Sequence, residues 1–433
     1  MTTWRDVTLG EIAAPDPHAL ATGPFGSAIS SRHFVEAGVP VIRGSNLSLD
    51  VGNRLADTQL AFLSQEKALS FKRSIARRGD LVFTCWGTIG QVGLVDDRAA
   101  FDEYVVSNKQ MKLTPDRDQV DSLYLYYLLS SPAMVEAVQQ QAIGAAVPGF
   151  NLGQLRQIRI RLPDLAFQRN AASVLGRFDD LIENSRRRIQ LLEEMVKAIY
   201  REWFVSFGYP GSEGVEVIHS SVGAMPATWG ITRLSEHVRL RRDNVRPDSS
   251  PSESFFHYSI PAFDDRRLPV CEPGDAIRSG KYLLDGECVL LSKLNPRFPR
   301  VWRVTPPETG PRAVCSTEFL VLDCGLDWPV PFVYAVLTSP EFGSRLSELA
   351  GGTSTSHQRA KPADVMALAL PEPPRALVQR FAEVAGPMLS VADNLVLQID
   401  QLSQLRDLLL PKLVSGQIDV SGLALDAALE ATG

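Results

Sequence analysis

Leu175, Phe178, Ile182, Ile189, Leu192, Val196, Ile199 and Trp203 fall three or four residues apart, with Ser185 the single polar member of the series. That spacing is the a/d seam of a heptad repeat and predicts one helix over about residues 165–206. Asp164, behind Pro163, is the predicted N-cap. Gly208 and Pro210 are expected to end the helix, Gly as a left-handed cap and Pro as the breaker. Met388, Ala392, Leu395, Ile399, Leu402, Arg406, Leu409 and Leu413 repeat the phase at an offset of 210. About 40 residues of helix span roughly 60 Å, and an amphipathic helix of that length needs a partner for its stripe. Antiparallel pairing with Ile189 opposite Leu402 sets Leu192 on Ile399, Val196 on Leu395, Ile182 on Leu409 and Phe178 on Leu413. Ser185 then faces Arg406, where a small side chain leaves the arginine stem room to reach water. A parallel pairing would set Arg406 on Val196, a poor place for a charge. The competing arrangement is two independent helices, each packed on its own domain.

The rest of the chain carries a second duplication. Tyr124–Pro132 matches Phe332–Pro340 at an offset of 208, and the same offset takes Gly144 to Gly352 and Pro163 to Pro371. Gly79-Asp80-Leu81-Val82-Phe83 matches Gly286-Glu287-Cys288-Val289-Leu290, and Trp4 matches Trp229. So long a period excludes a solenoid and predicts two copies of one domain, each followed by a long helix. The expected organisation is a first domain over 1–162, a helix over 163–208, a second domain over 209–370, a helix over 371–416 and a tail over 417–433. Strand-like runs such as Leu81–Thr84 and Glu318–Leu322 alternate with helical runs such as Tyr124–Leu129 and Phe332–Leu337. The expected fold class is α+β: two pseudo-repeated domains joined by two long helices in an antiparallel coiled coil.

Composition is that of a soluble globular protein, with 45% hydrophobic and 22% charged residues. No apolar run is long enough for a membrane span, and the N-terminus lacks the features of a signal peptide. The five cysteines form no Cys-x-x-Cys pair, and the six histidines show no metal-ligand spacing. A reducing, cytoplasmic setting is expected. The net charge of −6 counts against a basic whole-molecule nucleic-acid binder, but binding depends on patches. Lys293, Arg297, Arg300 and Arg303 lie in eleven residues without an acid. Arg239, Arg241, Arg242 and Arg246 enclose only Asp243, and Lys72, Arg73, Arg77 and Arg78 form a third group. Such runs are often plain solvated surface; Phe298, Trp302 and nearby prolines favour an ordered loop for the Lys293 group. Catalytic motifs are weak. Gly274–Tyr282 resembles a P-loop but has five residues between its glycines and Tyr282 where Ser or Thr must meet magnesium. Asn295-Pro296-Arg297-Phe298 resembles the Asn-Pro-Pro-aromatic motif of amino-methyltransferases with Arg297 in place of the second proline.

Ordered pieces in both halves carry a family resemblance. In the first half they are Gly23-Pro24-Phe25-Gly26-Ser27, Gly38–Arg43, Gly79–Val82, Leu162-Pro163 with Gln168-Arg169, and Tyr200–Phe204. In the second they are Ser292–Arg297, Gly352–Arg359 and Leu405–Ile418. In this order the chain resembles the specificity subunits of type I restriction–modification systems over nearly its whole length. One departure is Pro163–Gln168, where the family more often has a second proline and an acid before Gln. The resemblance implies a non-catalytic subunit that reads a split sequence in double-stranded DNA, one half per domain. It implies two methyltransferase subunits as partners, with S-adenosylmethionine bound there and no cofactor in this chain, and restriction/translocase subunits that can join. A stand-alone two-domain DNA-binding regulator and a protein-only coiled-coil scaffold are the alternatives. Candidate DNA contacts are Arg43, Lys72, Arg73, Lys281, Lys293, Asn295, Arg297, Arg300, His357, Gln358 and Arg359. Candidate helix-pair interface residues are Phe178, Ile182, Ile189, Leu192, Val196, Leu395, Ile399, Leu402 and Leu409.

Overall fold

The structure is a computed structural model that describes residues 3–141, 149–324, 327–350 and 358–423. Two compact units divide the chain: residues 1–182 with 401–433, and residues 183–400. The division falls inside both long helices, Leu165–Phe204 and Arg375–Val414, so each unit owns one part of each.

In the first unit, a four-stranded sheet runs Leu20–Thr22, Gln110–Leu113, Leu81–Thr84, Val92–Leu94 in spatial order, all antiparallel. A five-stranded sheet runs Phe34–Val35, Ala61–Leu63, Val39–Ile42, Glu103–Val106, Ile75–Arg77, with its central pair Val39–Ile42 and Glu103–Val106 parallel. The strands Leu81–Thr84 and Val39–Ile42 are buried along their full length and read as apolar runs rather than alternating ones, whereas the equally buried Gln110–Leu113 carries Gln110 and Lys112, the latter paired with Asp80. The helix Ser122–Leu129 is apolar on every side and lies in the core, capped by the Asp121 carboxylate on the Tyr124 N–H. Leu175 and Ala171 of the first long helix and Leu410, Leu413 and Val414 of the second join the same core.

The second unit repeats this plan. Its four-stranded sheet runs Arg239–Arg241, Phe319–Asp323, Cys288–Ser292, Val301–Val304. Its five-stranded sheet again centres on a parallel pair, Ser254–Tyr258 with Arg312–Ser316. The helix Val330–Thr338 takes the place of Ser122–Leu129. The extra edge strand differs: Phe34–Val35 borders one end of the first five-stranded sheet, whereas Asn244–Val245 borders the opposite end of the second. Both copies close with an antiparallel pair, Arg5–Thr8 with Arg159–Leu162 and Gly230–Arg233 with Ala369–Glu372.

The first long helix starts as expected, with the Asp164 carboxylate accepting the Phe167 N–H at 2.9 Å. Its end corrects the sequence reading. The left-handed residue is Phe207, at φ 63°, and not Gly208. Phe207 is held there by its ring packing on Trp229 at 5.6 Å. Gly208 instead donates to the Glu202 carbonyl at 2.8 Å, where any Cβ would strike the Glu202 carboxylate.

The helix register is a second correction. In the second unit, Phe381 packs on Tyr200, Trp203 and Phe204 at ring distances of 6.0, 6.1 and 5.4 Å. In the first unit, Asp179 binds Arg406 at 3.0 Å. Both pairings run antiparallel. The register with Ile189 opposite Leu402 would instead set Trp203 on Met388 and Asp179 on Lys412. The observed partners lie about two helical turns away. A slide of one heptad keeps every apolar position on the seam, so periodicity leaves that choice open. Arg406 does not reach water either: it is 3% exposed and ion-paired with Asp179, Asp50 and Asp407.

Candidate nucleic-acid interface

The duplication extends to one loop arrangement, built with the same backbone bonds in each unit. In the first, the Cys85 N–H at the end of strand Leu81–Thr84 donates to the Lys109 carbonyl, the Cys85 carbonyl accepts from Phe150, and Trp86 bridges Gly149. In the second, the Lys293 N–H donates to the Glu318 carbonyl, the Lys293 carbonyl accepts from Ala360, and Leu294 bridges Arg359. Each unit thus holds a loop after its central strand against the segment that leads to its last short helix, Leu152–Gln157 or Pro362–Met366. Both loops present an exposed aromatic ring, Trp86 at 51% and Phe298 at 69%. Apolar surface of this size costs free energy in water, and an aromatic ring on a loop is a common recognition device.

In the second unit the structure brings several sequence-predicted residues together. The Asn295 N–H donates to the Gln358 carbonyl at 2.9 Å, and Arg359 lies beside Leu294. Asn295 sits in the left-handed region at φ 55°, a conformation Asn tolerates better than most residues. Among the described residues Lys293 and Arg297 have no acid partner. Arg300 and Arg359 do: Arg300 makes two bonds to Asp264 at 2.6 and 2.9 Å, and Arg359 makes two to Glu318 at 3.0 and 3.1 Å. Arg303 is tied to Asp393 at 2.5 Å and stacks on Tyr334. A stretch free of acids in sequence is therefore not free of acids in space. Lys281 is corrected outright. It is buried, its amine bound to the Ser279 hydroxyl and carbonyl at 2.6 and 3.2 Å, and burial lowers its pKa. His357 lies outside the described residues. The P-loop resemblance also fails, since Gly274–Ala276 is a single short turn followed by strand Lys281–Leu284.

In the first unit, Lys72 and Arg73 stand exposed on a short 3-10 turn, Lys72–Ser74, while Arg77 and Arg78 are paired with Glu103 and Asp102. Arg43 lines a cleft of about 440 Å³ that the sequence reading missed. Ile29, Phe34 and Trp86 form its apolar walls, and Arg43, Gln91, Asn108, Lys109 and Gln110 supply polar groups. Among the described residues, no carboxylate lines it. Arg43 uses one guanidinium nitrogen on the Gln59 carbonyl at 2.7 Å, while its buried Nε has no partner. Gln110 is fully buried; its Oε1 accepts from Ser107, and its Nε2 has no partner. The signal for this cleft was present in the sequence. The 208-residue offset carries the predicted Lys293–Asn295 loop onto Cys85-Trp86-Gly87.

Each domain is bound to its helices by ions as well as by apolar packing. In the first unit, Asp179 receives Arg54 at 2.8 Å, Arg406 at 3.0 Å and the Tyr127 hydroxyl at 2.6 Å. In the second, Arg303 holds Asp393 and Arg267 holds Glu193 at 2.7 Å. Among the described residues, no helix is long and apolar enough to cross a membrane, and no cluster of His, Cys, Asp or Glu is placed to hold a metal ion.

Residues 29–194 match the family model described as "Type I restriction modification DNA specificity domain". The type I restriction enzyme MjaIX specificity subunit of Methanocaldococcus jannaschii is 26% identical over 357 residues, covering 80% of this chain and 79% of that protein. The HindI specificity subunit of Haemophilus influenzae is 23% identical over 241 residues, covering 54% of this chain and 49% of the relative. Among solved structures, the type-I restriction-modification S subunit from M. genitalium shares the fold, with a TM-score of 0.58 at 14% identity over 95% of this chain and 96% of that one. Over most of its length the chain is similar to type I specificity subunits, and residues 29–194 carry the match to their DNA specificity domain.

Proposed function

We propose that this chain reads a two-part DNA sequence, one half-site per globular domain, and presents it to methyltransferase subunits. The observation that carries the proposal is the duplicated loop: one aromatic-bearing loop after the central strand of each domain, held by the same backbone bonds. A protein with two such loops suits a target with two parts. Chemistry is assigned to the partners. Two methyltransferase subunits would hold S-adenosylmethionine, and restriction/translocase subunits would add cleavage. The acidic net charge fits a chain that shares phosphate contacts with its partners and keeps local contacts for sequence. The setting of this chemistry is the cytoplasm, where the DNA is.

The test is a domain exchange read by methylation mapping in a host. Replacing residues 1–162 with the first domain of another family member is expected to change one half of the methylated word and leave the other half intact. A swap that altered both halves, or neither, would overturn the one-domain, one-half assignment.

A further inference from the structure

We infer that the cleft of the first unit takes a single unstacked base of the target DNA, with Trp86 as its stacking wall. The inference rests on the DNA-reading function proposed above and names the ligand of that site. Four observations lead to it.

The first is charge. The cleft carries Arg43 and Lys109 and, among the described residues, no carboxylate, in a chain with a net charge of −6. The groove of the second unit between its domain and the long helices differs: Glu193, Asp393 and Asp400 line it, with Arg267 and Arg303 spent on pairing Glu193 and Asp393. The second is shape. A duplex read in place is met by elements that protrude into a groove, whereas a cleft of about 440 Å³ with apolar walls is concave. Concave sites with an aromatic wall and polar groups at the base are how single unpaired bases are held. The third is the ring itself. Trp86 stands half exposed at the rim, braced from behind because its six-membered ring lies against Gly149, where a Cβ would come within 2.8 Å. A bulky neighbour at 149 would push the ring over the cleft. The fourth is hydrogen bonding. Arg43 Nε and Gln110 Nε2 are buried donors without acceptors. A buried donor without an acceptor carries its desolvation cost unrepaid. A ligand edge rich in acceptors would satisfy them after a small side-chain adjustment, and base edges carry such acceptors.

The test uses the full chain assembled with its methyltransferase subunits. Duplex targets carry 2-aminopurine at each position in turn within the half-site read by the first domain. Its fluorescence rises when the base leaves the stack. One position is expected to brighten with the wild type and with Trp86→Phe, and to stay dark with Trp86→Ala. Methyltransferases also extrude the base they modify; that signal is recognised because it persists in Trp86→Ala. Trp86→Ala is expected to weaken binding about 5- to 150-fold, the range for loss of one stacked base, with relaxed specificity in this half only. Trp86 is half exposed, so both variants should fold. No Trp86-dependent brightening at any position would overturn the inference. So would a loss that is equal for all sequences with a shallower salt dependence, which marks a phosphate contact. In either case a methylated word that keeps its two halves leaves the DNA-reading function standing.

Discussion

Replacing Asp179 with Asn tests how the first domain is fastened to the long helices. Asp179 is fully buried and receives three donors: Arg54 at 2.8 Å, Arg406 at 3.0 Å and the Tyr127 hydroxyl at 2.6 Å. Both arginines are held strongly in the charged form by this carboxylate and its neighbours, against the cost of burial. Asn keeps the shape and one acceptor oxygen but turns an amide toward the second guanidinium. Removing one partner of a buried ion pair costs about 3–5 kcal/mol. Here Arg54 retains Asp96 at 2.6 Å and Arg406 retains Asp407 at 2.8 Å, so the loss belongs at the lower end, about 3 kcal/mol. For a unit of this size, 1 kcal/mol corresponds to about 2–4 °C, and the transition of the first unit should fall by about 6–12 °C. The assay is calorimetric unfolding of the full chain, with the two units followed as separate transitions. Asp180→Asn is the control. Asp180 is 70% exposed, and its bond to Arg98 should contribute less than about 1 kcal/mol. A loss of under about 1 kcal/mol in Asp179→Asn, or one equal to the control, would refute the reasoning. It would mean that burying the ions costs as much as pairing them returns.

Three further outcomes are expected. Phe381→Ala removes a fully buried ring that packs on Tyr200, Trp203, Phe204 and Phe332, and should destabilise the second unit by about 3–5 kcal/mol while leaving the first transition in place; denaturant melts read both. His257 should make the second unit acid-sensitive: burial lowers its pKa below the ordinary 6.5 despite the bond to Glu272, and Lys281 pushes the same way. The unfolded chain then takes the proton first as pH falls, so stability is lost from about pH 6.5 down toward the lowered folded value. His257→Gln should flatten that slope, and an unchanged slope would rule His257 out as its source. Lys293→Ala should cost about 1–3 kcal/mol in binding, with relaxed specificity in one half-site, if Lys293 reads a base. If it meets only phosphate, salt titration should show binding weakened for all sequences and a shallower slope.

The two long helices were legible because an amphipathic stripe is written directly in spacing: Leu175 to Trp203 and Met388 to Leu413 leave no other regular structure open. The duplicated α+β plan was legible for the same reason, since Tyr124–Pro132 and Phe332–Pro340 are core segments whose pattern must repeat if the core repeats. Register was not. A heptad slide preserves the seam, and what fixes it is where Arg406 meets Asp179 and where Phe381 meets the aromatic end of the first helix. Charge was read least well. Lys293–Arg303 lacks acids along the chain, yet Asp264 and Asp393 arrive from 36 and 90 residues away to neutralise Arg300 and Arg303. The acid-free cleft is assembled from segments between Ile29 and Gln110 that no local pattern joins. Periodicity is a property of neighbours in sequence, so the sequence by itself determined the helices, the repeat and the fold class. Electrostatic environment is a property of neighbours in space, so only the tertiary structure decided which cations are spent on internal pairs and which, among the described residues, are left without an acid partner.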